Sequence, residues 1–142
     1  LLIELAVYEK DPDAVKITEK DLLEDGFRDN PRYECFIAEF NSEIVGLAFY
    51  TPRYSTWDGK TLHLEDLVVT ENMRGKGIGL SLYKSFLKEA KKQGVNRVEW
   101  SVLDWNKPAI NFYLKSGALI DDYSKWKIVR MNKSLIEKFL SS

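Results

Sequence analysis

Arg74-Gly75-Lys76-Gly77-Ile78-Gly79 is the segment of this 142-residue chain whose composition points most directly at chemistry. Three glycines alternate there, between an apolar run that ends at Val69 and a helical pattern. Small residues let a backbone approach a ligand closely. The first N–H groups of a helix have no partner within it, and the helix dipole adds partial positive charge. Together these suit an anion, a phosphate above all, although an ordinary Gly-rich turn has the same composition. Spacing excludes two phosphate motifs. The dinucleotide fingerprint needs G-x-G-x-x-G, whereas Gly75, Gly77 and Gly79 are two and two apart; G-x-x-x-x-G-K-[ST] is absent. A second segment is the acid pair Glu65-Asp66, set in the otherwise apolar run Leu62–Val69. Burying an unpaired charge is costly, so such a pair points to a role. Strict strand alternation would put Glu65 with His63, Leu67 and Val69, and Leu64, Asp66 and Val68 on the opposite face.

These residues need a frame. Apolar spacing at Leu1, Leu2, Leu5 and Tyr8 makes Leu1–Glu9 a helix end that stops before Pro12. Thr18–Asp25 is a short helix, capped by Thr18 with Asp21 three residues on and closed by Gly26. Tyr33–Phe40 and Ile44–Thr51 are strands joined by a tight turn at Asn41-Ser42. Pro52–Gly59 is a loop with aromatic anchors, and Leu62–Val69 is the strongest strand. Ile78, Leu82, Phe86 and Ala90 recur every fourth residue, so Ile78–Gln93 is a helix stopped by Gly94. Arg97–Val102 alternates as a half-buried strand. Asn106 caps a helix through Lys115 that ends at Gly117. Lys125–Met131 is a last strand, and Ser134–Leu140 a terminal helical turn. The strand Leu62–Val69, the long helix and the strand Arg97–Val102 form a right-handed parallel crossover. Ligands of such units sit at the carboxyl ends of the strands, where the glycine loop lies.

Composition narrows the classes. The length suits one domain. Lys plus Arg is 21 and Asp plus Glu is 22, a formal charge of −1. That balance lacks the basic footprint of a nucleic-acid binder. No apolar run approaches a membrane span, and the first residues carry no secretory leader pattern. One cysteine, Cys35, excludes an internal disulfide framework and any multi-cysteine zinc site; it is expected as a buried thiol on a strand. One histidine, His63, is poor ground for a metal site and is expected as a structural strand residue. Catalysis would therefore rest on carboxylates, tyrosine or backbone dipoles.

The pattern R-x-x-G-x-G after a strand, here Arg74, Gly77 and Gly79, resembles the pyrophosphate loop of the GCN5-related N-acetyltransferases (GNAT), which bind acetyl-CoA. More of the chain resembles one branch, the diamine and spermidine/spermine acetyltransferases with their thialysine N-epsilon-acetyltransferase relatives. The resemblance is carried by Glu4-Leu5-Ala6, Tyr8-Glu9, Asp21 to Phe27, Tyr54 to Trp57, Leu64 to Val69, Val102 to Asn106, Asn111-Phe112-Tyr113 and Gly117-Ala118. It implies a single acetyltransferase domain over 1–142. In the family an amino-terminal strand and the start of the first helix precede the point where this chain begins. It implies an α/β fold with a mixed, mostly antiparallel sheet, a central parallel strand pair that splays at Val69 and Val102, and helices on both faces.

The resemblance also assigns roles. Backbone groups of Leu67, Val68 and Val69 would hold the pantetheine arm. The stretch Arg74, Gly75, Lys76, Gly77, Ile78, Gly79 and Leu80 would hold the pyrophosphate, with Lys76 a solvated charge near it. Asn106, Lys107, Pro108 and Ala109 would line the cofactor. An alkyl ammonium has a pKa near 10.4, so it must lose a proton before it attacks, and Glu65 would take that proton directly or through water. Tyr113 would donate a proton to the departing thiolate. Tyr8, Glu9, Trp57, Glu65, Asp66, Glu99, Trp100 and Ser101 would surround the amine, with Trp57 offering a cation–π face. Asp66 either binds a cation or pairs with a buried base. The implied acceptor is a small amino acid amine such as thialysine, reached by direct attack in a ternary complex. Diamines or polyamines are the alternative, and a protein lysine or a non-catalytic acyl-CoA-binding module the remaining readings. A cytoplasmic homodimer is expected, with no metal, nucleic acid or membrane partner.

Overall fold

Local rules place most of the elements in the computed structural model, which describes residues 1–121 and 128–141. The chain divides into two units, Leu1–Leu103 and Asp104–Ser142. In the first, α1 (Leu2–Tyr8) and α2 (Glu19–Gly26) precede the strands β1 (Glu34–Phe40), β2 (Glu43–Ser55) and β3 (Gly59–Val69). Then come α3 (Ile78–Gln93) and β4 (Arg97–Glu99). The second unit holds α4 (Lys107–Lys115) and α5 (Lys133–Leu140).

The cap of α2 is reciprocal. Asp21 N–H donates to Thr18 Oγ1 at 3.2 Å, and Thr18 N–H donates to Asp21 Oδ2 at 2.8 Å. Gly26, expected just past the helix, is its last residue; a side chain there would run into the Tyr33 ring. The Tyr33 hydroxyl in turn donates to Leu22 O at 2.7 Å. The tight turn forms as expected, with Asn41 at φ 50° and Ser42 at φ 64° between the paired Phe40 and Glu43. Gly94 closes α3 at φ 65°.

The sheet order is β1-β2-β3-β4, antiparallel except for the parallel β3–β4 pair. Cross-strand partners share a face, so register assigns the two sides. Gly46, Ala48 and Tyr50 pair with Val69, Leu67 and Leu64 on one face. This face meets α3, whose buried side is Leu82, Tyr83, Phe86 and Ala90. Tyr50 and Phe86 stand with ring centroids 5.3 Å apart, both essentially buried. Burying each such side chain contributes about 1.5–3 kcal/mol. The opposite face carries Leu47, Phe49 and Thr51 with Val68, Asp66 and His63. Tyr33 stacks on Phe49 at 4.2 Å there, and its bond to Leu22 brings α2 to that side. The chain thus has a mixed sheet with helices on both faces.

Four sequence expectations need correction. First, Pro52–Gly59 is not a loop, because the β2–β3 ribbon continues to the pair Ser55 and Gly59. The β1 ladder ends at Glu34–Tyr50, so Pro52 sits where β2 is an edge and its missing N–H leaves no ladder bond unmade. Second, β4 ends at Glu99 and not at Val102; its ladder with β3 covers only Thr61–Arg97, Leu62–Val98 and His63–Glu99. Third, Cys35 is exposed and not buried, since it lies on the outermost strand. Of the expected strand Lys125–Met131, residues 125–127 lie outside the described residues, and Ile128–Met131 are not in a strand. No helix among the described residues is long and apolar enough to cross a membrane.

Candidate active site

Glu65 occupies a β-bulge. Phe49 pairs with Asp66 and Tyr50 with Leu64, which leaves Glu65 as the extra residue on β3. A bulge puts two residues opposite one and re-aims the side chains around it. The alternation therefore resets. Leu67 and Val69 join Leu64 on the α3 face, whereas Asp66 joins His63 on the other. Glu65 points to that second face as well: Thr51 Oγ1 donates to its Oε1 at 3.3 Å, and His63 Nε2 lies 3.8 Å from its Oε2. The expected separation of Glu65 from Asp66 is thus reversed, and both carboxylates share one side of the sheet.

The electrostatics follow from that placement. Burial first, then the charges of Glu65 and Glu9, push the Asp66 carboxyl up from 3.8 to about 6. Burial also raises Glu9, at the end of α1. The charges of Glu65 and Glu9 therefore both bear on Asp66, and the cost of that gathering falls there. A cation placed among them would relieve that cost.

Glu99 is differently situated. Arg53 Nη1 lies 3.0 Å from its Oε1 and Arg97 Nη2 3.0 Å from its Oε2, so its charge is already matched. Arg97 also pairs with Asp58. Trp100, half-buried, meets the ring of Tyr83 on α3 edge-on at 5.8 Å. Ser101 lies past the end of β4. Trp57 is exposed in the β2–β3 turn, where its N–H donates to Ser55 Oγ. Glu65 is six residues beyond Gly59 along β3, roughly 20 Å from that turn at about 3.3 Å per residue.

At the carboxyl end of β3 the ladder geometry opens. The β4 partner of β3 stops at the His63–Glu99 pair, while β3 continues to Val69. Beyond this edge lies the glycine loop. Gly75 and Gly77 have φ 75° and 82°, and a Cβ at either would meet nothing within 4 Å. The backbone there is strained for any side chain and unobstructed, a cradle shaped by conformation and not by packing. Gly77 starts the 16-residue α3, whose first-turn N–H groups at Ile78, Gly79 and Leu80 have no partner within the helix. These features fit a pyrophosphate.

Arg74 fixes the entry to this loop. Its Nε donates to Val69 O at 2.9 Å, its Nη2 lies 3.8 Å from Glu4 Oε1, and its guanidinium sits 5.0 Å from the Tyr8 ring centre. Glu4 Oε1 also accepts from Glu71 N–H at 2.8 Å. Residues Glu4 and Tyr8 of α1 therefore brace the loop. Lys76 Nζ reaches only Met73 Sδ, at 3.3 Å, on an exposed side chain.

In the second unit, Asn106 Oδ1 accepts from Ala109 N–H at 3.3 Å and caps α4, with Pro108 in the first turn. Lys107 Nζ donates to Asp104 O at 2.8 Å. Tyr113 is 8% exposed and lies edge-on to Phe112 at 5.3 Å. Sequence reasoning missed Arg53 altogether and gave His63 only a structural place. Alternation had already put His63 on the face of Glu65; Arg53 reaches His63 there through the β2–β3 register, which no local signal encodes.

A family model described as the acetyltransferase (GNAT) family matches residues 4–118. The chain is 41% identical over 126 residues to thialysine N-epsilon-acetyltransferase of Bos taurus, covering 83% of this chain and 74% of that protein. It is 39% identical over 141 residues to spermidine/spermine N(1)-acetyltransferase-like protein 1 of Homo sapiens. That match covers 94% of this chain and spans only 20% of the human protein. Among solved structures, an integron cassette protein from the mobile metagenome of V. cholerae superposes with a TM-score of 0.75 at 25% identity, over 99% of this chain and 87% of that one.

Proposed function

Because the chain belongs to the acetyltransferase (GNAT) family, we propose that it moves acetyl from acetyl-CoA to a primary amine of a small molecule, thialysine or a related amino acid amine, in a ternary complex. The observation that carries the reading is the acidic cluster of Glu9, Glu65 and Asp66 beside the open carboxyl end of β3. An ammonium substrate supplies the cation that this cluster lacks. Its attraction is greatest where burial has already removed water, at Asp66.

Acetyl-CoA, as co-substrate, supplies the activated thioester. Gly75 to Leu80 present backbone N–H groups to its pyrophosphate, and the edge of β3 at Leu67, Val68 and Val69 receives its pantetheine arm. The family resemblance assigns Asn106, Lys107, Pro108 and Ala109 to the same co-substrate. Glu65 accepts the ammonium proton, directly or through water, so that the free amine can attack. A backbone N–H of β3 stabilises the developing oxyanion, and Tyr113 Oη gives up a proton to the leaving sulfur. Tyr8 and Glu9 border the amine together with Trp100 and Ser101, whereas Trp57, roughly 20 Å from Glu65 along β3, and Glu99, already paired with Arg53 and Arg97, do not reach it.

A second reading, a diamine or polyamine acceptor, is favoured by one observation: three carboxylates exceed what a single ammonium requires. The reading further includes one acetyltransferase domain over 1–142, supported by a family match that crosses from the first unit into the second. A cytoplasmic homodimer is supported by the family resemblance. CoA thiol release across thialysine, lysine, ornithine, diaminopropane, putrescine, spermidine and spermine tests the substrate. We expect thialysine to exceed the others by tenfold or more in kcat/KM, about 1.4 kcal/mol of transition-state discrimination. A polyamine ahead by that margin establishes the second reading. Turnover of none, with acetyl-CoA bound, overturns both.

A further inference from the structure

We infer that His63 is a positioning residue for Glu65 and that Arg53 fixes the tautomer in which it acts. The inference rests on the reading of Glu65 as the proton acceptor. Arg53 Nη1 stands 3.0 Å from His63 Nδ1. A guanidinium has only N–H donors and does not lose its charge, so Nδ1 must be the acceptor of that bond. The neutral ring then carries its proton on Nε2. Nε2 is the nitrogen that faces Glu65 Oε2, at 3.8 Å. The other carboxylate oxygen accepts from Thr51 Oγ1 at 3.3 Å. The Glu65 carboxylate therefore accepts a hydrogen bond from a hydroxyl of β2 and has the imidazole of β3 beside it, at 3.8 Å a polar contact longer than a hydrogen bond.

Arg53 is itself held, because the same Nη1 lies 3.0 Å from Glu99 Oε1 and Arg97 pairs with Glu99 and Asp58. An unbroken line of contacts thus runs from the far end of β4 through Arg53 and His63 to the bulge. These pairs are partly exposed, and such pairs contribute little to stability. Their consequence is orientation. With its Nδ1 lone pair engaged by Arg53, the imidazole turns its N–H side toward Glu65 at 3.8 Å and does not compete with it for the substrate proton. The charged groups that bear on this pair are Arg53 from β2, Glu65 and Asp66 from β3, Glu99 and Arg97 from β4, and Glu9 after α1.

The test has a structural and a kinetic arm. His63 is the one histidine of the sequence, so long-range proton–nitrogen correlation spectra of the 15N-labelled protein read its tautomer without interference. At pH 8 we expect the proton on Nε2 in the wild type and a mixture of tautomers in Arg53→Met. A wild-type ring protonated on Nδ1 overturns the inference. In steady-state assays, His63→Phe keeps the ring's bulk and removes the donor. It should lower kcat at least fivefold, leave the KM for acetyl-CoA unchanged, and move the acid limb of the kcat profile to higher pH. His63→Gln, which restores an N–H donor, should recover part of the loss. Wild-type kcat and pH profile in His63→Phe overturn the inference. Should that variant fail to fold, Arg53→Met carries the kinetic test, because it leaves the imidazole in place. Glu65→Gln separates the two readings. Wild-type activity there removes Glu65 as the proton acceptor. Loss there, with His63 variants unaffected, removes only the role of His63.

Discussion

Asp66→Asn should stabilise the protein at neutral pH and leave it unchanged in acid. The Asp66 carboxyl sits at about 6 in the folded chain against an ordinary 3.8, held up by burial, then by Glu65 and Glu9. Between those two values the folded state binds a proton that the unfolded state has lost. Stability therefore falls as pH rises through that window, and the full cost is present above about pH 6. A difference of about 2 pH units at about 1.36 kcal/mol each gives a ceiling of about 3 kcal/mol. Burial of the polar Asn amide takes up part of it, so a gain of about 1–2 kcal/mol is expected at pH 7.5. Urea unfolding of wild type and Asp66→Asn at steps from pH 3.5 to 7.5 measures it. The two curves should meet near pH 4 and separate steadily to about pH 6. The same variant should raise the KM for the amine, since the cation loses its most strongly favoured partner. A variant less stable than wild type at pH 7.5, or a difference that does not change with pH, refutes the reasoning. Asp66 would then be satisfied by a partner other than the incoming ammonium.

Further outcomes follow from the same geometry. Tyr113→Phe should lower kcat by about 100-fold, the lower range for general acid catalysis, with little change in either KM; an unchanged kcat removes its role as donor. Gly77→Ala adds a Cβ that meets nothing within 4 Å, but it forces an L-residue to φ 82°. The cost should be about 1–2 kcal/mol, read as a lower Tm together with weaker acetyl-CoA binding in titration calorimetry. Glu65→Gln should depress kcat and move the pH optimum upward, and a wild-type profile would reduce Glu65 to a charge partner of the substrate.

What was legible in the sequence was local. Period-four apolar spacing and a glycine stop define α3 from Ile78 to Gln93, because a helix is built from contacts three and four residues apart. The Thr18–Asp21 capping box, the Asn106 cap and the Asn41-Ser42 turn are likewise settled within a few residues. The glycine loop after a strand is a short-range pattern too, which is why its place before α3 could be read directly. Tertiary structure decided the rest. Whether Pro52 is loop or strand depends on where the ladder of β1 ends. Where β4 stops depends on how far β3 and β4 stay together, which is set by elements distant in sequence. The bulge at Glu65 is the consequential case. One extra residue relative to β2 reverses which face Asp66, Leu67 and Val69 occupy. Side-chain direction in a strand has a period of two, so a single unpaired residue inverts everything beyond it. The sequence by itself determined that a glycine loop opens α3 and that the acid pair Glu65-Asp66 lies within β3. Alternation already put His63 beside Glu65, but the register alone decided that Asp66 and Arg53 stand on that side too.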